Sequence, residues 1–451
     1  MKEKEELLEH PQFNKILSDF LEEIISLNET LPLVMALISV KDKQKEKELN
    51  EFIKKRTIKK DKTTVQDSTE PSEKEEEDIV SLNIADYIQF EELQKNVNVA
   101  SIAFKVVPRS FFVSLISQFD AYIGNLIKKI YELFPEKLNE CEKNLSFSQL
   151  MEFSSINDAK EYIIEKEVES VLRESHTFHF EWLEKKLSIT LRKNLPIWQT
   201  FIEITERRNL FVHNDGHVSN QYLSVCKKNK VQLSSDIKVG DILHVDSDYF
   251  RIAFECIFEL SVKLNQVIWR KLIANDIQNA DDALNDICYE LIQKEEFHLA
   301  DILLDFATNI LPKHYNEYYK NVFIINQALS KYLAGNKEDS DNILKQKDWS
   351  ASNNSFKLAV SVLSEKYDKA IDIMRQIGLS DDVPRHSYQT WPLFKRIRES
   401  QDFLNAYKDI FNEDYRIIER PTKKILMMIS ENEDDFKKEE VKKSKKRKPK
   451  P

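Results

Sequence analysis

Apolar residues near the start of the chain recur every three or four positions. Phe13, Ile16, Leu17, Phe20, Leu21, Ile24 and Ile25 therefore share one side of a 3.6-residue helix, and a helical segment is expected over 1–58. The pattern then stops. KKDKTTVQDSTEPSEKEEED opens residues 59–80, is charged, carries almost no apolar side chain and contains Pro71, so a flexible acidic linker is expected there. Helical spacing resumes over 81–275. Pro108 is expected to open a helix through Phe111, Phe112, Leu115, Ile116, Phe119, Tyr122, Ile123 and Leu126. Further helices are expected over 157–173, 196–213 and 248–272. Between Tyr222 and Val245 the period changes to short alternating runs split by Ser-Ser-Asp and Gly-Asp, which predicts a small β-hairpin or ordered loop inserted between helices. Over 276–418 helices come in pairs. In their second members a small residue precedes aliphatics at +3 and +4: Ala300 before Leu303 and Leu304, Ser340 before Ile343 and Leu344, Ala370 before Ile373 and Met374. Residues 419–451 read as a charged, disordered tail.

Composition strengthens the helical reading. Five glycines and twelve prolines in 451 residues are too few for a chain of strands and tight turns, so the fold class is all-α. The net charge of −10 argues against a protein that coats nucleic acid along its whole surface. Residues 437–451 are the exception, with nine basic and two acidic residues. That tail could bind phosphate charge, act as an address or simply solvate a disordered end, and the last is expected. Cys141, Cys226, Cys256 and Cys288 lie far apart, so neither a disulfide framework nor a zinc knuckle is indicated. MKEKEELLEH is not a signal sequence, and LPLVMALISV is about half the length of a membrane span. A soluble, cytoplasmic protein without membrane contact is expected. No P-loop, GxGxxG, HExxH or GxSxG pattern supports ATP hydrolysis, dinucleotide chemistry, zincin proteolysis or α/β-hydrolase chemistry.

The strongest chemical signal is ERRNLFVHNDG at 206–216. Ile197, Phe201, Ile204, Arg208 and Phe211 form one helical stripe, which puts Arg208 where an apolar residue belongs. A buried guanidinium must find anions or acceptors. Asn209 and His213 are four apart on a neighbouring face, and Gly216 follows as a helix stop. His213 then sits in the last turn, where the helix dipole favours a protonated imidazole. A guanidinium grips phosphate oxygens, and an imidazole moves protons near neutral pH. An Arg and a His near a helix end can also merely cap carbonyls and pair with carboxylates.

Arg208-Asn209-Leu-Phe-Val-His213 resembles the R-x4-6-H motif of HEPN (higher eukaryotes and prokaryotes nucleotide-binding) domains, in which a polar residue commonly follows the arginine. Residues 108–272 are the part that resembles the family. The resemblance implies a small helical bundle, a metal-independent endoribonuclease without cofactors, and a homodimer whose two motifs share one composite site. It implies RNA as substrate, cleaved by its own 2′-OH, with His213 as base or acid, Arg208 stabilising charge and Asn209 orienting the phosphate or the histidine. Members occur in toxin–antitoxin and antiviral defence systems. Asp120 or Ser117 could hold Arg208 or His213 in place. AVSVLSEKYDKAIDIMRQIG resembles a tetratricopeptide (TPR) unit, which implies an α-solenoid able to bind a protein partner. The alternative to an enzyme is therefore a scaffold that grips a partner through that array.

Other residues have blander readings. His176 and His179 are three apart, with Glu181 nearby, and could hold a metal, but no third ligand is evident and none is expected. His217 could be a second acid–base group or a loop residue. Tyr222 and Trp391 are expected to pack.

Overall fold

The computed structural model describes residues 12–58, 79–80, 82–140, 143–234 and 236–416. The expected tail and nearly all of the expected linker lie outside these residues. The chain divides into two compact units between Leu284 and Asn285. Among the described residues it is mostly helical, as its glycine-poor composition leads one to expect.

The first unit is organised by a long helical hairpin. α1 (Gln12–Lys54) runs out, the two-residue strands β1 (Thr57–Ile58) and β2 (Ile79–Val80) pair antiparallel at its end, and α2 (Ile84–Leu133) runs back along α1. The segment expected to stand apart at 1–58 is thus half of this hairpin and part of the core. Phe13 stacks on Trp269 at 6.2 Å and Phe20 on Tyr122 at 4.7 Å, while Leu17 and Ile24 are buried. Pro108 does not open a helix. It lies inside α2, where it costs a backbone hydrogen bond that the flanking apolar packing offsets. The start signal is Asn83, whose side chain accepts from the Asp86 amide at 2.8 Å.

Pairings of Arg56 with Asp86, Phe52 with Phe90 and Phe20 with Tyr122 set the hairpin's register. That register places Val40 of α1 level with Ile102 of α2 and Leu37 near Val106, with Leu33 and Val99 about a turn beyond, and all six are 49–71% exposed. By length and composition α1 and α2 could each cross a membrane, a test that long core helices also pass. Both helices carry the bundle core at their other halves.

The rest of the unit packs around α2. α3 (Phe147–Leu150), α4 (Ile156–Leu172), α5 (His176–Leu187), α6 (Trp198–His213), α7 (Asn220–Lys228) and α8 (Ser247–Leu272) follow in order. Of the β-hairpin or ordered loop expected at 222–245, no hairpin is seen among the described residues. Ser219 caps α7 instead, and Tyr222 and Cys226, one helical turn apart, bury against Leu210 and Val218. The alternating run that followed, with Val231, Leu233, Ile237 and Leu243, covers this cluster as a loop. Beyond its local turns its backbone pairs with residues 216–218: the Val218 amide donates to Asp241 at 2.8 Å, and Leu243 donates to Gly216 at 3.0 Å.

In the second unit α9 (Ile277–Gln293), which begins in the first, is followed by α10 (Phe297–Asp305), α11 (Glu317–Leu333), α12 (Lys337–Lys345), α13 (Asn354–Leu363), α14 (Tyr367–Ile377), α15 (Arg385–Thr390) and α16 (Gln401–Phe411). Three helix pairs share one turn. Glu295, Gly335 and Glu365 each take positive φ, and the amide after each donates 2.9 Å back to Leu291, Lys331 and Ser361. Five residues past each turn lies the small residue of the sequence pattern. Ala300, Ser340 and Ala370 are all buried, which lets paired helices approach closely.

Candidate functional site

α6 buries Phe201, Ile202, Ile204 and Phe211 and ends at His213. The end is built with care. Asn214 and Gly216 both donate to the Leu210 carbonyl, at 2.8 and 3.1 Å. Gly216 has φ of 84°, and a Cβ there would meet the Phe211 ring at 3.0 Å and the Leu243 carbonyl at 3.2 Å. Arg109 of α2 donates to the Phe211 carbonyl and to the Asp215 carboxylate, so a cation closes the helix's negative end. The same guanidinium holds Asp215 below its ordinary pKa. Behind α6, buried Glu203 accepts from Arg207 at 2.7 Å, Tyr222 at 2.7 Å and Tyr249 at 2.5 Å, tying α6 to α7 and α8.

The front of α6 faces a cleft of about 650 Å³ between α6, the end of α4, the start of α5 and Asp120 of α2. Arg208, Asn209 and His213 all line it. The Arg208 Nη2 donates to Asp120 Oδ2 at 2.5 Å, while Asp120 Oδ1 meets His176 Nε2 at 2.8 Å. One carboxylate therefore serves a guanidinium with one oxygen and an imidazole with the other. Arg208 Nε is buried without a hydrogen-bond partner. The Arg208 side chain is 18% exposed on the cleft wall, so the part of the guanidinium that Asp120 leaves free can meet an anion entering the cleft.

Two further groups line the cleft: Glu206, which the sequence did not single out, and His179, which it offered as half of a histidine pair without a third ligand. Burial pushes the Glu206 carboxyl above its ordinary range, against the pull of His176 and Arg208. His179 is 1% exposed, and neither ring nitrogen has a hydrogen-bond partner. Burial first, and then the neighbouring His176, hold its pKa at about 4; Asp120 and the nearby Glu174 and Val171 carbonyls pull weakly the other way. The sequence signal for Glu206 was its place at the head of the Arg-Arg-Asn run. For His179 it was the His176 spacing, and what was lacking was the third partner.

The remaining expectations divide. Asn209 is half-buried on the cleft wall and His213 is exposed at its rim. Ser117 is exposed and donates to the Val113 carbonyl one turn back, so it does not reach Arg208 or His213. His217 lies off the cleft, bridged to Ile242 with Nδ1 3.2 Å from the Gly240 carbonyl, as a loop residue. Tyr222 packs, with its hydroxyl on Glu203. Glu181 pairs with Arg192 at 2.7 Å rather than with the histidines. Trp391 packs edge-on against Phe394 at 5.5 Å.

A second depression, about 380 Å³, is lined by Lys143, Tyr162, Lys166, Glu169 and Arg173. Lys166, at 2.9 Å, and Arg173 share the single Glu169 carboxylate, and no histidine or other proton-transfer pair lines this depression. The cleft at α6 is the site with chemistry in it. No family model, no curated protein and no solved structure matches this chain.

Proposed function

We propose that the first unit is a HEPN-type endoribonuclease acting at the α6 cleft. The observation that carries this reading is the convergence of Arg208, Asn209 and His213 on one cleft, with Arg208 anchored by Asp120 and still partly exposed to the cleft. In a cleavage of this kind the RNA 2′-oxygen attacks the adjacent phosphorus, the bond to the 5′-oxygen breaks, and a 2′,3′-cyclic phosphate and a 5′-hydroxyl result. His213 takes or delivers a proton, Arg208 holds the developing negative charge, and Asn209 orients the phosphate. The second proton carrier is His213 of another copy or Glu206. No metal is required. A role in antiviral defence or toxin–antitoxin control belongs to the same reading.

The reading includes a homodimer. The exposed apolar runs Leu33, Leu37 and Val40 on α1 and Val99, Ile102 and Val106 on α2 suit a second copy that covers both. Six such side chains expose on the order of 600 Å² per copy, so a symmetric pairing buries about 1,200 Å², the lower bound of a specific interface. Val106 is one turn from Arg109, which grips the end of α6, so this pairing keeps the two motifs in one region.

The test is an RNA substrate with 2′-deoxy sugars at the cleaved positions, incubated in chelator. Cleavage of the all-ribose strand giving cyclic-phosphate ends, and none of the 2′-deoxy strand, is expected. Equal cleavage of both strands, or 3′-hydroxyl ends, overturns the mechanism.

The second unit supports a second reading. A cavity of about 400 Å³ is lined by Tyr289, Tyr318, Phe356 and Trp391 together with Asn285 and Asn326, whose amides bond at 2.9 Å. Aromatic side chains beside paired amides suit an extended peptide, as in a TPR-like array that binds a partner. This array would restrain or direct the nuclease, or act alone if the cleft is inert.

A further inference from the structure

We propose that Asp120, His176 and His179 form a binding site for a first-row divalent cation, with zinc the best match. The donor set is two imidazoles and a carboxylate, drawn from α2 and the first turn and a half of α5. Ser175 caps α5 through the Phe178 amide, which fixes both histidines on the helix turn facing α2. One donor atom from each residue lies within 4.8 Å of the other two. In a tetrahedral site bonds of about 2.1 Å place donors about 3.4 Å apart, so a pair at the 4.8 Å limit closes by about 1.4 Å, within the reach of side-chain rotation.

His179 is the independent pointer to a ligand. A fully buried imidazole with neither nitrogen hydrogen-bonded is costly, and such groups ordinarily have a partner. A cation coordinated by one nitrogen removes that cost. The Val171 and Glu174 carbonyls beside the ring suit the other nitrogen, the usual arrangement for a metal-bound histidine. Asp120 is already divided correctly for this role, since Oδ1 faces His176 while Oδ2 holds Arg208. Two nitrogens and one oxygen favour zinc and its first-row neighbours over magnesium or calcium, which prefer all-oxygen sets. Three protein donors leave a fourth position for water or a phosphate oxygen, next to Arg208 in the same cleft.

This site does not depend on the nuclease reading, and its test uses no RNA. Full-length protein is stripped with chelator, exposed to Zn²⁺ alone, desalted and assayed for bound metal. About one zinc per chain is expected at this site. His179→Gln, which keeps the volume, and Asp120→Asn should each weaken binding more than about a hundredfold. Their circular dichroism in chelator checks that they fold. Co²⁺ substitution should give d–d bands without thiolate charge transfer, which separates this site from the buried cysteines. No retained zinc, equal retention by the folded variants, or a thiolate spectrum overturns the proposal.

Discussion

At the scale of single residues, the cleft is a set of charges that answer one another incompletely. Asp120 satisfies one face of Arg208 and one nitrogen of His176, but Arg208 Nε and both nitrogens of His179 stay unanswered. Glu206 adds a carboxyl whose charged form burial opposes. In the unfolded chain it titrates near its ordinary value of 4.5, and in the folded chain higher. Between those values the folded state keeps a proton the unfolded state has lost. The resulting stabilisation is complete below the unfolded value and is lost as pH rises through the folded one. Glu206→Gln should therefore be more stable than wild type at about pH 7 and lose that advantage toward about pH 4. Denaturant unfolding at both values checks this, and a pH-independent difference contradicts it. Arg208 was legible in the sequence because it interrupts an apolar stripe. Its anchor stands 88 residues away; the sequence offered Asp120 beside Ser117, and only the three-dimensional packing chooses Asp120.

At the scale of elements, periodicity located most helices, and the failures have definite causes. Pro108 resembles a first-turn proline, but the apolar spacing on both sides of it continues one helix, and packing on α1 outweighs the lost hydrogen bond. The alternating run after Tyr222 has the strand period, yet its half-buried residues are satisfied by covering the α7 cluster, and its backbone pairs with 216–218. The repeat in the second unit was visible as small residues at 300, 340 and 370, while its other half, the left-handed turn five residues earlier, falls on Glu, Gly and Glu and so hides from a glycine count. Gly335 takes φ of 89° with open space around a Cβ. Gly335→Ala should cost about 1–2 kcal/mol from backbone strain alone, and Gly335→Asn less. Equal melting temperatures for wild type and the alanine variant would show that the turn relaxes.

At the scale of the whole molecule, the first unit carries the candidate chemistry and the second carries an aromatic-lined cavity of its own. The hairpin's exposed apolar runs predict association. Leu37→Glu with Ile102→Glu should shift a dimer to monomer in light scattering and lower cleavage with it; a dimer that survives both charges places the interface elsewhere. The central claim is that His213 moves a proton in RNA cleavage at a phosphate gripped by Arg208. The most direct measurement is the single-turnover cleavage rate of folded His213→Ala beside wild type, at saturating RNA and in chelator. A fall of about 10²–10⁴-fold is predicted. A rate within twofold of wild type would contradict it.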